Sequence, residues 1–364
     1  MKKSHSSTLS RTFVLVLLCV TSQVAAFCSK LNEKPSTALF SGDSSSQSHG
    51  PILVVGATGG TGLRALKGLL DAGCRASQIR LLTRNPANCQ HLQDSLGISI
   101  VQVDLDDEDT ANLSTALQDC VGCYVHALSG DTRQVTLGGV EKAQRLLEVI
   151  QSHADPACHV VMNSAAAEEN HGVTRIGEMH AIEQVFRDET TRFTSLRANL
   201  FMEELWKKYT RPSILKGTFP FSVPSDRKIY LTSVRDMGRI AGTCILQKAE
   251  IGKTVNVAGD VLTAADIAAT FGNFQQQDCK HSPGRVFALF CRLFFRDLYQ
   301  IIRFYRKSTE TTDVSALRAK FPGLVTDLGT FLDETEWKNE ELSYENFSQV
   351  ERVLRTDLEK AREH

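Results

Sequence analysis

The loop Gly56-Ala-Thr-Gly-Gly-Thr-Gly62 constrains the fold of this chain more than any other feature. It follows a short apolar segment, residues 51–55, and precedes a helical pattern with leucines on one face. In this context Gly56 permits a tight turn, Gly59 lets the backbone approach a pyrophosphate, and Gly62 lets the helix pack on a sheet. The alternative is a glycine-rich turn that binds no ligand. The pattern predicts a dinucleotide site at the helix N-terminus, formed by Gly56, Thr58, Gly59, Gly60, Thr61 and Gly62.

Strand and helix patterns alternate along the first half of the chain. Further apolar strand patterns fall at 79–83, 98–103, 121–128 and 159–162, with helical patterns at 109–118 and 140–152. The second half is less regular, with a strand at 193–196 and helices at 234–246 and 264–271. This order predicts an α/β fold: a Rossmann-type doubly wound parallel sheet over about 51–200, and a smaller C-terminal mixed substrate lobe over about 200–333.

The residues after the second strand indicate which nicotinamide cofactor the site prefers. Sites for NAD place an acidic residue there to bind the ribose hydroxyls, but no Asp or Glu occurs between Gln78 and Gln93. Arg84 stands where a 2′-phosphate needs a cation, so we expect NADP(H) to be preferred over NAD(H). Asp104, after the third strand, is placed either to accept a hydrogen bond from the adenine amino group or to cap a local turn. His126, near the end of the fourth strand, either lines the nicotinamide side of the groove or packs in the core.

Several ordered motifs resemble the NmrA-like family of atypical short-chain dehydrogenases/reductases, over about residues 51–333. The resemblance rests on segments that share an order with the family: the glycine loop, Thr83-Arg84-Asn85-Pro86, Val103-Asp104-Leu105, residues 194–202, residues 233–241, residues 252–259 and residues 262–268. It implies a nicotinamide-binding Rossmann fold and does not identify a substrate.

The resemblance also suggests candidate residues for chemistry and for the substrate pocket. Ser164 matches the position of the family's catalytic serine, and its alternative role is to satisfy its own turn. The wider family uses Tyr-x-x-x-Lys as a proton donor pair, and none of the six tyrosines has Lys four residues later. His180 lies one residue beyond the position of a lysine that relatives often carry, and is a candidate proton donor or an ordinary packing residue. Asn199 and Met202 are candidate substrate-pocket residues.

Two functions of different classes follow from these residues. One is an NADPH-dependent reductase of a small carbonyl, enone or quinone compound. The other is an NADP(H)-binding regulatory or assembly protein that has lost turnover, which the missing Tyr-x-x-x-Lys pair favours. No His, Cys and Asp residues have metal-ligand spacing, so we expect no metal. The 41 Lys and Arg residues nearly balance the 42 Asp and Glu residues, which gives no reason to expect nucleic acid as a partner.

Both ends of the chain have distinctive composition. Residues 1–26 resemble a signal peptide, with Lys2, Lys3 and Arg11 before a short apolar core and Val-Ala-Ala before Phe27. Residues 27–49 are rich in Ser and poor in acids, as in the bipartite presequences of algae with secondary plastids. We therefore expect plastid import, with the secretory pathway as the alternative. The charged residues 334–364 predict a C-terminal helix, with Phe347, Val350, Leu354 and Leu358 on one face.

A line of arginines lies in the aromatic-rich region 282–307. If this region is one helix capped by Ser282, the side chains of Arg285, Arg292, Arg296 and Arg303 lie within roughly 20° of one line. The sequence then predicts a basic stripe that either faces water or makes peripheral contact with an anionic surface. The only apolar run near a terminus, residues 13–20, is too short to span a bilayer. We expect no transmembrane span.

Overall fold

A computed structural model describes residues 50–56, 59–107, 109–126, 128, 138–188 and 192–344. The signal peptide and transit-like segment expected over 1–49 lie outside the described residues. So do Thr58 of the glycine loop and the residues 347–358 that carry the C-terminal helix pattern.

The centre of the molecule is a seven-stranded sheet in which every neighbouring pair is parallel. In chain order its strands are β1 (Ile52–Val55), β2 (Ile79–Thr83), β3 (Ser99–Gln102), β4 (Gly122–Val125), β5 (His159–Ala165), β6 (Arg192–Ala198) and β10 (Thr254–Val257). Across the sheet they run β10-β6-β5-β4-β1-β2-β3. The strand order reverses between β1 and β4, and the predicted doubly wound Rossmann-type fold is therefore confirmed.

Helices cover both faces of this sheet because its central strands are buried on both sides. The helices of the first half are α1 (Gly60–Asp71), α2 (Gln90–Leu96), α3 (Ala111–Leu117), α4 (Gly139–His153) and α5 (Thr174–Asp188). One core cluster forms between the sheet and α1, and a second forms between the sheet and α4. Strands β1 and β4 contribute fully buried residues to both clusters, as a parallel sheet between two helical layers requires.

Two elements that follow residue 200 belong to the main sheet and its helical layer rather than to the smaller lobe. The predicted boundary at about residue 200 is therefore wrong for them. Strand β10 is the seventh strand of the main sheet, and helix α7 (Val234–Gln247) packs against α1 on that sheet. A Cβ atom on Gly238 would lie 2.1 Å from the Arg64 carbonyl oxygen, and one on Gly242 would lie 2.4 Å from the Gly68 backbone. The two helices therefore touch backbone to backbone, and the glycines of α7 make this approach possible.

The smaller lobe surrounds a separate apolar core that contains Trp206 and Trp337. A three-stranded mixed sheet runs β11 (Asp260–Thr263), β9 (Lys228–Thr232) and β7 (Leu200–Phe201), and a two-stranded sheet joins β8 (Thr218–Pro220) to β12 (Lys280–Ser282). The helices of this lobe and of the segments around it are α6 (Arg211–Leu215), α8 (Ala264–Gln275), α9 (Arg285–Phe294), α10 (Arg296–Lys307), α11 (Val314–Lys320) and α12 (Leu328–Glu334).

The single helix predicted over 282–307 is wrong, since the chain breaks into α9 and α10. Phe295 has φ −137° and ψ 78°, and Ser282 belongs to β12 rather than capping a helix. The apolar residues of this segment would lie on several sides of a single straight helix. The break lets Cys291 of α9 and Ile302 of α10 share one small core. The four arginines therefore do not form one straight stripe.

The helix predicted from residue 334 onward is not present over the described residues 335–344, which form turns. The Arg211 guanidinium donates hydrogen bonds to the carbonyls of Trp337, Asn339 and Leu342. Those carbonyls are therefore held by a side chain of the lobe rather than by a helical backbone. Trp337 is fully buried against Trp206, so this segment is part of the lobe.

Candidate functional site

The glycine loop turns at the carboxyl edge of the sheet, where β1 ends. Gly56 has φ +76°, a left-handed conformation that favours glycine, and a Cβ atom there would lie 3.1 Å from the His126 carbonyl oxygen. The Gly59 N–H donates to the Gly56 carbonyl at 3.0 Å, and Gly59 is the N-cap of α1. The first turn of α1 thus presents backbone N–H groups at the point where the strand order reverses.

Gly59 and Gly60 are glycines for which the protein itself shows no steric need. Among the residues that the structure describes, a Cβ atom on Gly59 would meet only the Gly56 carbonyl oxygen, at an ordinary 3.4 Å, and one on Gly60 would meet nothing within 4 Å. Neither residue has positive φ. The space beside these two positions is therefore open, as a closely approaching phosphate group would require. Thr61, the next residue of α1, is buried, and burial raises the pKa of Tyr124 on β4.

Arg84 and Asp104 follow β2 and β3, on one side of the glycine loop. The Arg84 side chain is exposed, and its carbonyl accepts a hydrogen bond from Gln102 at 3.3 Å. The Asp104 carboxylate accepts a hydrogen bond from the N–H of Asp106 at 3.1 Å. This is the local turn contact, one of the two roles that the sequence suggested for Asp104. The structure places both residues at the carboxyl edge of the sheet. Their contacts with a 2′-phosphate and with adenine stay predictions.

His126 and Asn163 form a pair on the other side of the glycine loop, after β4 and within β5. The Asn163 amide nitrogen lies 3.1 Å from His126 Nδ1, so the amide donates when Nδ1 carries no proton. The His126 side chain keeps some accessible surface, but the surrounding protein lowers its pKa to about 4. The imidazole is therefore neutral at physiological pH and acts as a polar neighbour rather than a cation. Asn163 is a site residue that the sequence analysis missed.

Ser164 and His180 both lie near the carboxyl end of β5. Among the described contacts, the two side chains do not hydrogen-bond to each other. The Ser164 side chain is 2% exposed, and its hydroxyl has no hydrogen-bond partner within the described part of the chain. His180 Nε2 lies 2.9 Å from the carbonyl oxygen of Ala165, the next residue, and donates to it. This bond orients the imidazole toward the strand end and engages one of its two ring nitrogens. The catalytic roles of both residues stay predictions.

A buried ion pair fixes helix α5 against the end of β6. Arg197 donates to both carboxylate oxygens of Glu183, with its Nη2 2.9 Å from Oε2, and Glu183 is 1% exposed. Arg197 pairs in register with Ser164 on the neighbouring strand. A two-pronged Arg–carboxylate contact has a fixed geometry, so this pair holds α5, and with it His180, at a defined height along β5.

The chain matches the model of the NmrA-like family over residues 48–321. The chain belongs to the NmrA-like family. None of the curated protein sequences is a significant match to it.

Solved structures that share the fold of this NmrA-like protein include several reductases. Triphenylmethane reductase from Citrobacter sp., solved with NADP(H), is 19% identical, with a TM-score of 0.63 and coverage of 78% of this chain and 99% of that one. An NADPH-dependent quinone oxidoreductase from Escherichia coli is 20% identical, with a TM-score of 0.63 and coverage of 78% and 98%. An isoflavone reductase is 15% identical, with a TM-score of 0.60 and coverage of 79% and 99%. At these identities the likeness shows the fold alone.

Asn199 and Met202 of this NmrA-like protein lie at the junction between the main sheet and the smaller lobe. The Asn199 amide donates to the Val257 carbonyl at 3.2 Å and to the Thr312 hydroxyl at 3.1 Å, so it ties three segments together. Met202 is fully buried in the core of the smaller lobe. The structure gives both residues contacts within the fold, and their roles in a substrate pocket stay predictions.

His171 is a second histidine near this strand end, and no sequence pattern predicts its place there. Its ring meets that of His180 edge to face at 5.4 Å and that of Phe304 at 6.4 Å. Burial and the neighbouring His180 lower the pKa of His171. Helix α10 carries Phe304 and thus covers the segment that follows β5. No group of three or more His, Cys, Asp or Glu residues is arranged to hold a metal ion within the described ranges.

Proposed function

We propose that this protein binds NADP(H) at the carboxyl edge of β1 and β4 and reduces a small carbonyl, enone or quinone compound. The observation that carries the proposal is the open space beside Gly59 and Gly60 at the N-terminus of α1. A nicotinamide cofactor fits there because its pyrophosphate needs close backbone approach and free N–H groups. The NADP(H) named for the Citrobacter reductase and the NADPH-dependent Escherichia coli enzyme support the choice of cofactor.

Different residues around the loop would bind different parts of the cofactor. The backbone of Gly59 and Gly60 and the first turn of α1 would bind the pyrophosphate, Arg84 the 2′-phosphate and Asp104 the adenine. The neutral His126, held by Asn163, would line the nicotinamide side of the groove. When bound, the cofactor supplies the hydride for reduction. Ser164 would then orient the substrate carbonyl oxygen by hydrogen bonding.

The second function we keep is an NADP(H)-binding regulatory or assembly protein without turnover. A specific observation favours it, because His180 Nε2 is engaged with the Ala165 carbonyl and Ser164 is almost fully buried. No Tyr-x-x-x-Lys pair is present to take over proton transfer.

One experiment separates the two functions. NADPH binding is measured by fluorescence titration, and NADPH oxidation is followed with a panel of quinones, enones and aldehydes. Binding together with turnover that falls at least tenfold in Ser164→Ala supports the reductase. Binding without turnover on the whole panel selects the regulatory function, and no binding contradicts both.

We also propose that the protein reaches a plastid through residues 1–49, with secretion as the alternative. The proposal is supported by Phe27 directly after the small-residue cleavage pattern and by the Ser-rich stretch that follows. Residues 1–49 fused to a fluorescent reporter should enter the plastid of an alga with secondary plastids. Replacing Phe27 with Ala should leave the reporter in an earlier compartment, and import that ignores Phe27 contradicts the proposal.

A further inference from the structure

Helix α9 exposes a large apolar surface that the rest of the described chain does not cover. Val286 is 83% exposed, Leu293 67%, Phe294 65% and Leu289 58%. We call these four side chains the apolar face. At about 100° per residue they occupy an arc of about 140° on the helix. Exposed apolar groups gathered on one helix face mark a site of interaction.

Basic residues border this apolar face. Arg285 and Arg292 lie about 40° and 60° from Leu289 around the helix. An open cleft of about 380 Å³ is lined by Arg292 of α9 together with Tyr299, Arg303, Arg306 and Lys307 of α10. Residues 285–307 hold six basic residues and one acidic residue, in a chain whose formal net charge is −1. Helices α9 and α10 form a hairpin over residues 285–307, which we call the hairpin. Positive charge is therefore concentrated on it.

The hairpin is fixed to the molecule by α10, while the apolar face of α9 points away from the hairpin's own core. Ala288 and Cys291 of α9 pack against Ile302, and Phe304 packs against Ala167 and Val173 beside α5. Gln300 also accepts hydrogen bonds from the backbone and the hydroxyl of Thr174. The hairpin is thus held next to the segment that follows Ser164.

We propose that the hairpin docks this protein on a bilayer that contains anionic phospholipid. The apolar face enters the acyl boundary, and the cationic cleft binds the phosphate of a lipid headgroup. An apolar helix face bordered by arginines has the layered chemistry of a bilayer surface. A second copy is the weaker occupant, because an antiparallel two-fold pairing of two such faces would bring Arg285 and Arg292 against like charges. Among the described residues no helix is long and apolar enough to cross a bilayer.

Docking through the hairpin would hold the candidate site beside the bilayer. Helix α10 touches both the hairpin core and the segment after β5, so the edge of the site that carries Ser164 and His180 would lie near the membrane surface. This placement suits a substrate that dissolves in lipid. The docking itself does not depend on the proposed reduction, and the two are tested by different measurements.

The test is co-sedimentation with phosphatidylcholine vesicles, with and without phosphatidylglycerol, at low and high salt. The full chain is used throughout, so that every variant carries the same residues 1–49. We expect binding that requires phosphatidylglycerol and weakens at high salt. Arg292→Gln with Arg303→Gln should lower the partition coefficient about thirtyfold, from about a factor of five per arginine. Leu289→Gln with Leu293→Gln should lower it at least tenfold.

The matched control removes two charges elsewhere, with Lys216→Gln and Lys228→Gln, which lie exposed outside the hairpin. This variant should bind as the wild type does, and all variants should keep the wild-type melting temperature. Equal binding to neutral vesicles, or hairpin variants that bind like the control, would overturn the proposal. A dimer that the leucine variants dissociate, without vesicle binding, would assign the apolar face to a second copy instead. Binding to polyglutamate but not to vesicles would point to an acidic protein and would also overturn it.

Discussion

At the scale of single residues, the glycines of the loop have different roles. Gly56 is required by the fold, because its φ is +76° and a Cβ atom there would lie only 3.1 Å from the His126 carbonyl oxygen. Gly59 and Gly60 have ordinary φ, and the described part of the chain leaves open space beside them. When neither backbone conformation nor crowding requires a glycine, a ligand that must approach the backbone closely explains it. The contrast between Gly56 and Gly59 is the main structural support for a bound phosphate group.

Arg84→Ala should weaken NADPH binding about ten- to a hundredfold while leaving NADH binding nearly unchanged. The exposed guanidinium at the end of β2 would lose a charge-assisted contact with the 2′-phosphate, worth about 1.5–3 kcal/mol. Arg75→Ala is the matched control, since Arg75 is also exposed but precedes the opposite end of β2. Equal losses for NADPH and NADH in Arg84→Ala would show that Arg84 does not recognise the 2′-phosphate. Both affinities are measured by fluorescence titration.

At the scale of elements, α1 and α7 cross with their backbones in close contact. Gly238→Ala would force a Cβ atom to within 2.1 Å of the Arg64 carbonyl, so the helices must separate. Overpacking of this kind costs about 1–3 kcal/mol. Gly177→Ala in α5 is the control, because a Cβ atom there meets only His171, at 4.0 Å. Urea unfolding should show a loss for Gly238→Ala and none for Gly177→Ala; equal stability of the two would contradict the close crossing.

The sequence predicted the elements whose signals are local and missed those that depend on distant partners. The glycine loop and the early strands carry their own patterns. Strand β10 was assigned to the second lobe because its place beside β6 depends on a pairing across more than fifty residues. The break at Phe295 was missed because the apolar pattern of 282–307 continues through it. Asn163 and His171 had no signal, since only the fold brings them to His126 and His180.

At the scale of the whole molecule, a buried carboxyl group joins the two lobes. Glu203 follows β7 and accepts the N–H of Val234 at the start of α7, at 3.0 Å. Burial raises the pKa of Glu203 to about 7, although the charge of the buried Arg64 acts in the opposite direction. A carboxyl group that keeps its proton to about neutral pH therefore lies at the junction between α1, α7 and the smaller lobe.

Glu203→Gln should change how stability depends on pH. The folded state keeps the Glu203 proton up to about pH 7, whereas the unfolded chain releases it near pH 4.5. The carboxyl group therefore costs stability as pH rises through that window, by roughly 3 kcal/mol in total. Chemical denaturation of both proteins from about pH 5 to pH 8 measures this, and titrating groups that do not interact with Glu203 cancel in the difference. Glu203→Gln should gain stability relative to the wild type as pH rises, and parallel curves would refute the assignment.

The most direct test of the account is NADPH binding by the wild type and by Gly59→Val. The wild type should bind NADPH more tightly than NADH. Gly59→Val should lose NADPH binding while keeping its melting temperature, because the added side chain fills space that the protein leaves open and the phosphates need. Isothermal titration calorimetry and a thermal scan give both quantities on the same samples. A folded Gly59→Val protein that binds NADPH like the wild type would contradict the proposed cofactor site.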